Sequence, residues 1–135
     1  MRIARRFFPA ALLVSVVAAA EPAGKPPAPV VTTLMTQPLQ NDPGKEVLLL
    51  TVEYPPGGAD PVHRHNADAF VYVLEGSIVM GVAGGKPVTL TAGQTFHEGR
   101  DDVHAVGRNA SDSKPAKFVV FLLKDAGKPA LIPVD

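Results

Sequence analysis

The chain has 135 residues, enough for one modest domain with its own core. At 46% hydrophobic and 19% charged it reads as globular rather than disordered. Its 13 basic and 13 acidic residues balance without a basic patch, which argues against nucleic acid as a partner, and the absence of cysteine excludes disulfides, thiol catalysis and Cys-based zinc sites.

The first twenty residues read as a secretory signal peptide. MRIARR carries three arginines, residues 7–20 form an apolar run, and Ala18-Ala19-Ala20 offers small residues for cleavage before Glu21. Pro9 interrupts the run, which falls short of the ~20 residues a bilayer core needs. The expectation is therefore export to the periplasm or beyond, with no membrane association after the signal is removed. Loss of Arg2, Arg5 and Arg6 would leave 10 basic against 13 acidic residues. Residues 21–29 (EPAGKPPAP) read as a Pro-rich, semi-extended linker.

From residue 30 to 135 the pattern is that of one all-β domain. Residues 30–36 are β-branched and predict a first strand, followed by an Asn41-Asp42-Pro43-Gly44 turn. Residues 46–54 (EVLLLTVEY) predict a strand buried on both faces. Pro55-Pro56-Gly57-Gly58 breaks it. Residues 69–74, 77–82, 88–91, 95–98, 103–106, 117–123 and 130–134 predict further strands, many of them punctuated by glycine turns such as Glu75-Gly76 and Ala92-Gly93. Short strands at this spacing predict an antiparallel sandwich or barrel. No window of the mature chain shows convincing helical periodicity.

Four histidines are available: His63, His65, His97 and His104. Residues i and i+2 of a strand share a face, so His63 and His65 can converge on one point. Neutral imidazole suits Zn, Cu, Fe and Ni. His97 should face away from its neighbour Glu98, and Glu98 should share a face with Phe96. Phe70, Tyr72, Phe118 and Phe121 read as packing for the core or a dimer interface.

Two groups of residues together resemble the cupin superfamily. Gly57, His63, His65 and Gly76 fall where its first motif has a glycine, an H-x-H pair and a closing glycine. Gly93, His104 and Asn109 match the second, with Asn109 one place late and Gly99-Arg100-Asp101 in place of the usual turn. The resemblance implies a conical β-barrel or double-stranded jelly roll with a divalent transition metal (Zn, Fe, Mn, Ni or Cu) held by His63, His65 and His104. The family's metal-binding glutamate would fall at residue 69, which is Ala69. Glu98 is the preferred substitute. Asp68 is adjacent to the vacated position but one step out of phase. A three-histidine site completed by water is the alternative. The resemblance also implies a homodimer and a small organic ligand. It leaves three functions open: a metal-dependent enzyme of dioxygenase, decarboxylase, isomerase or lyase type, a non-catalytic periplasmic protein that binds a metal or small ligand, or a cupin shell with a structural role only.

Overall fold

The computed structural model describes residues 24–134. The expected signal peptide lies outside the described residues, as does the start of the expected linker; residues 24–29 carry no regular structure, and all but half-buried Pro29 are exposed. Ten strands follow: β1 (Val30–Pro38), β2 (Lys45–Tyr54), β3 (His63–His65), β4 (Ala67–Glu75), β5 (Ser77–Val82), β6 (Val88–Thr91), β7 (Thr95–Glu98), β8 (Val103–Asn109), β9 (Ala116–Asp125) and β10 (Leu131–Pro133). Every strand pair is antiparallel. One sheet runs β1-β2-β9-β4-β7 and the other β10-β3-β8-β5-β6. The fold is an all-β jelly roll, as the strand and turn pattern predicts.

Period-2 alternation sets the core. On β9, Phe118, Val120 and Leu122 are buried while Phe121 is exposed. On β4, Ala67, Ala69, Val71 and Val73 turn inward; Phe70, Tyr72 and Leu74 turn out. These inward rows meet Leu50, Val52 and Tyr54 of β2 and Ile78 and Met80 of β5. Of the four aromatic residues, then, Phe118 belongs to the core, and Phe70, Tyr72 and Phe121 lie on the outer sheet face. The expectation that β2 is buried on both faces is corrected in part. Leu49 and Thr51 are only half-buried and Glu53 is exposed, because the outer face of this sheet has no layer of the chain over it.

Gly76 closes the β4–β5 turn at a φ of +72°, and a Cβ there would come within 2.7 Å of the Pro115 carbonyl oxygen. Both facts demand glycine. Strand β3, only three residues long, sits between β10 and β8, which fixes what it presents to the interior.

The alternation on β9 predicts unequal truncation costs. Phe118→Ala should lose about 3–5 kcal/mol in urea denaturation, because the ring is buried and packs on Tyr54 at 5.1 Å between centroids. Phe121→Ala, on the exposed face, should lose about 1 kcal/mol or less. Equal losses would contradict this register.

Candidate metal centre

His63 of β3 lies directly opposite His104 of β8 in the antiparallel pair. His65, two residues along β3, turns to the same side. The three side chains offer ligand atoms all within 4.8 Å of one another. His63 and His104 are buried and His65 is half-buried. The structure thus brings together all three histidines singled out in the sequence.

Each ring is fixed by a backbone carbonyl. His63 Nδ1 lies 2.8 Å from Pro61 O, His65 Nδ1 2.9 Å from Ala130 O and His104 Nε2 2.8 Å from Val106 O. A carbonyl only accepts, so in the neutral ring the nitrogen facing it carries the proton. That leaves lone pairs on His63 Nε2, His65 Nε2 and His104 Nδ1. The two Nε2 atoms are 3.2 Å apart with no proton between them.

Glu98 lies beside the group. It ends β7, is buried, and pairs across the strands with Ala69. Its carboxylate reaches to 3.2 Å from His104 Nδ1 and 3.9 Å from His65 Nε2. The 3.2 Å approach is not a conventional salt bridge, since His104 donates its proton to Val106 instead. Accordingly His104 Nδ1 and Glu98 Oε2 are buried without a hydrogen-bond partner. Burial, with His63 nearby, pushes the His104 imidazole down to about 4. Burial also lowers His65. Burial, then the nearby Asp102 and Asp60, pushes the Glu98 carboxyl up to about 7. Three imidazole lone pairs gathered in one place, with a carboxylate beside them, are donors of the kind a divalent transition metal takes.

Other residues resolve differently. Asp68 faces out, in strand rather than in a turn, and its Oδ1 lies 3.4 Å from His97 Nε2. His97 is exposed and packs on Phe70, as alternation predicts. Asn109, which matches the second motif, does not face the histidines. Its amide donates to the carbonyls of Tyr54, Pro55 and Lys114 and accepts from Ser111 N, clamping the end of β2 to β8.

Sequence reasoning missed three residues around the site. Asp60 lines the cavity beside the histidines and receives a hydrogen bond from the hydroxyl of fully buried Tyr54. Burial raises both groups, for Asp60 against the lowering effect of that bond. Gly107 supports both sides: its carbonyl accepts from Asp60 N at 2.8 Å, and a Cβ on it would lie 2.5 Å from His104 Nε2 and 2.9 Å from the Tyr54 hydroxyl. Glycine inside a strand marks such close approaches, and that was the available signal. A cavity of about 290 Å³ opens on the donors, walled otherwise by apolar side chains such as Leu48, Val52, Met80 and Phe118.

Comparison with known proteins agrees with this architecture. Residues 50–122 match the family model for the cupin domain, and the chain belongs to that family. Among solved structures, a conserved protein with a double-stranded β-helix domain from Klebsiella pneumoniae aligns with a TM-score of 0.61 and 19% identity, over 79% of this chain and 86% of the other. A cupin domain from Bordetella pertussis aligns at 0.56 and 27% identity, over 76% and 99%. An oxalate oxidase in complex with the substrate analogue glycolate aligns at 0.58 and 25% identity, over 78% of this chain and 55% of the other. No curated protein matches the sequence.

The carbonyl contacts predict ring tautomers. Long-range proton–nitrogen spectra of metal-free protein at pH 8 should show His63 and His65 protonated on Nδ1 and His104 on Nε2. The reverse tautomer at His104 would remove the lone pair from the cluster and contradict the geometry.

Proposed function

We propose that the cavity binds one divalent transition metal through His63, His65, His104 and Glu98, and that the protein is an exported cupin acting on a small organic molecule held beside that metal. The observation that carries this is the set of lone pairs: three carbonyl-fixed imidazoles turn their free nitrogens to one place, beside a buried carboxylate. A metal bound there would supply a Lewis acid for a ligand oxygen. The chain's own residues hold the donors in place, and the apolar wall excludes water from the cavity. Glu98 serves as the carboxylate that Ala69 lacks; opposite the small Ala69 side chain, it projects into the space the family's usual glutamate would occupy. The oxalate oxidase likeness supports a small oxygen-bearing ligand rather than a polymer. Export rests on the signal-like residues 1–20.

Elemental analysis of protein purified from its exported location should find about one transition-metal ion per chain. A thousandfold excess of metal over Kd should stabilise the fold by about 4 kcal/mol, which for a domain of this size raises Tm by roughly 10 °C or more. His63→Ala and His104→Ala should abolish both effects. Protein that stays metal-free and thermally unchanged when offered divalent ions would overturn the reading.

The outer face of the β1-β2-β9-β4-β7 sheet supports the homodimer we also propose. Phe70, Tyr72, Leu74 and Phe121 are exposed there together, an apolar grouping that a second copy could cover. Sedimentation velocity at tens of micromolar should show a dimer that Phe70→Glu combined with Tyr72→Glu dissociates. A monomeric wild-type protein would exclude it.

A further inference from the structure

The cavity is built for a particular charge and shape of ligand. Its polar lining is Thr33, Asp60, His63, His65, Glu98 and His104; every other lining side chain is apolar, and among the described residues no lysine or arginine lines it. The buried lysine among the described residues, Lys124, is held by Glu46 and is not part of the wall. A divalent cation would therefore be balanced by the two carboxylates Asp60 and Glu98. No net positive charge would remain to attract a second anionic group.

Asp60 is not there by accident of a loop. Its backbone N–H is fixed by Gly107 O at 2.8 Å, and its Oδ2 accepts from Tyr54. Tyr54 is itself held by the Phe118 ring and by the Asn109 clamp on its carbonyl. The carboxylate is thus oriented from behind by buried structure. Its other oxygen, Oδ1, makes no hydrogen bond to another described residue and is not sealed from solvent. It is therefore free to accept a hydrogen bond from a ligand in exchange for water. Roughly 150 Å³ of apolar cavity suffices for a benzene-sized molecule, so about 290 Å³ accommodates one ring with substituents.

We infer that Asp60 is the specificity-determining residue of this cavity, which takes small, uncharged, largely apolar hydroxyl compounds of single-ring size and rejects small carboxylates. The ligand's hydroxyl donates to Asp60 Oδ1, and its body lies against Val52, Met80 and Phe118. The inference rests on the proposed metal for a second contact with the ligand, and on Asp60 alone for the discrimination between hydroxyl and carboxylate. It separates this chain from the ligand chemistry that the oxalate oxidase likeness suggests.

The test is titration calorimetry with 4-methylphenol, benzoate and oxalate, on metal-free and on zinc-loaded protein. 4-Methylphenol should bind both forms, and more tightly than either carboxylate. Asp60→Asn removes the charge while keeping the size. It should weaken 4-methylphenol by roughly 10- to 100-fold, the worth of a hydrogen bond to a charged acceptor, and should strengthen benzoate. Tyr54→Phe leaves the carboxylate but frees it, and should weaken 4-methylphenol by a smaller factor with benzoate unaffected. A merely structural Asp60 would lower both affinities together. Tighter binding of benzoate or oxalate than 4-methylphenol, an unchanged ratio in Asp60→Asn, or no 4-methylphenol binding at millimolar concentration in either form would overturn the inference. Zinc that fails to bind, with the 4-methylphenol preference intact in metal-free protein, would instead strike the metal reading and leave Asp60 its role.

Discussion

The pairing of β3 with β8 is the constraint on which the rest of the site depends. It sets His63 opposite His104, and the pleat then delivers His65 to the same side. Strand β3 is too short to hold this register by itself. Its position is secured from both edges, by β8 on one side and β10 on the other. The same backbone supplies the carbonyls of Pro61, Val106 and Ala130 that orient the rings. Ring orientation is therefore a property of the sheet, not of side-chain packing alone. Gly107 shows how little slack there is: its missing side chain is what lets β8 pass over His104 and Tyr54.

Assembling this cluster opposes folding unless something satisfies it. An unpartnered buried polar atom costs about 1–3 kcal/mol. Two of them, Glu98 Oε2 and His104 Nδ1, lie in this one cluster. The physical signs of that cost are the depressed His104 imidazole and the elevated Glu98 carboxyl, both driven first by burial. The surrounding jelly roll must carry it, and the core between the two sheets, with Tyr54, Phe118, Leu122 and Met80, is where the compensating burial lies. A fold does not maintain such a group for stability; it is a strained feature of the kind that functional sites keep.

How much of this was legible in the sequence follows from range. Strand positions depend on neighbours one and two residues away, and period-2 alternation with glycine and proline punctuation places nearly all of them. The histidine pair is legible for the same reason. Glu98 is legible because it shares a face with Phe96 and because Ala69 leaves the usual carboxylate position empty. What the sequence does not display is the cross-strand register, which sets Glu98 directly opposite Ala69 and moves the carboxylate to the adjacent strand. Asp60 and Tyr54 were hidden for a related reason. They are six residues apart across a Pro-Gly break, and only the path of the loop, pinned by Gly107 and Asn109, turns one onto the other. The overestimated burial of β2 has the opposite origin. Leu48, Leu49 and Leu50 read as a continuous apolar run, yet only the inward residues meet the second sheet.

The support given to each donor follows from which strands have partners on both sides. The donors sit on β3, β7 and β8, and both histidine strands have a hydrogen-bonded neighbour at each edge. The cavity lining also includes Val31 and Thr33 of β1 and Leu131 of β10, all exposed, the last directly across from His65. Each of these two strands is the edge of its sheet, and β10 pairs over three residues only. Edge elements with few buried contacts open at lower free energy than the strands they flank. The two histidine strands are thus supported on both sides, whereas β7, which carries Glu98, is like β1 and β10 the edge of its sheet. Ala130 connects the two regimes. Its carbonyl fixes His65, while its neighbour Leu131 begins the edge strand β10. Displacement of β10 therefore reaches the His65 ring directly through that carbonyl, and reaches His63 through the β10–β3 pairing that sets Pro133 opposite it.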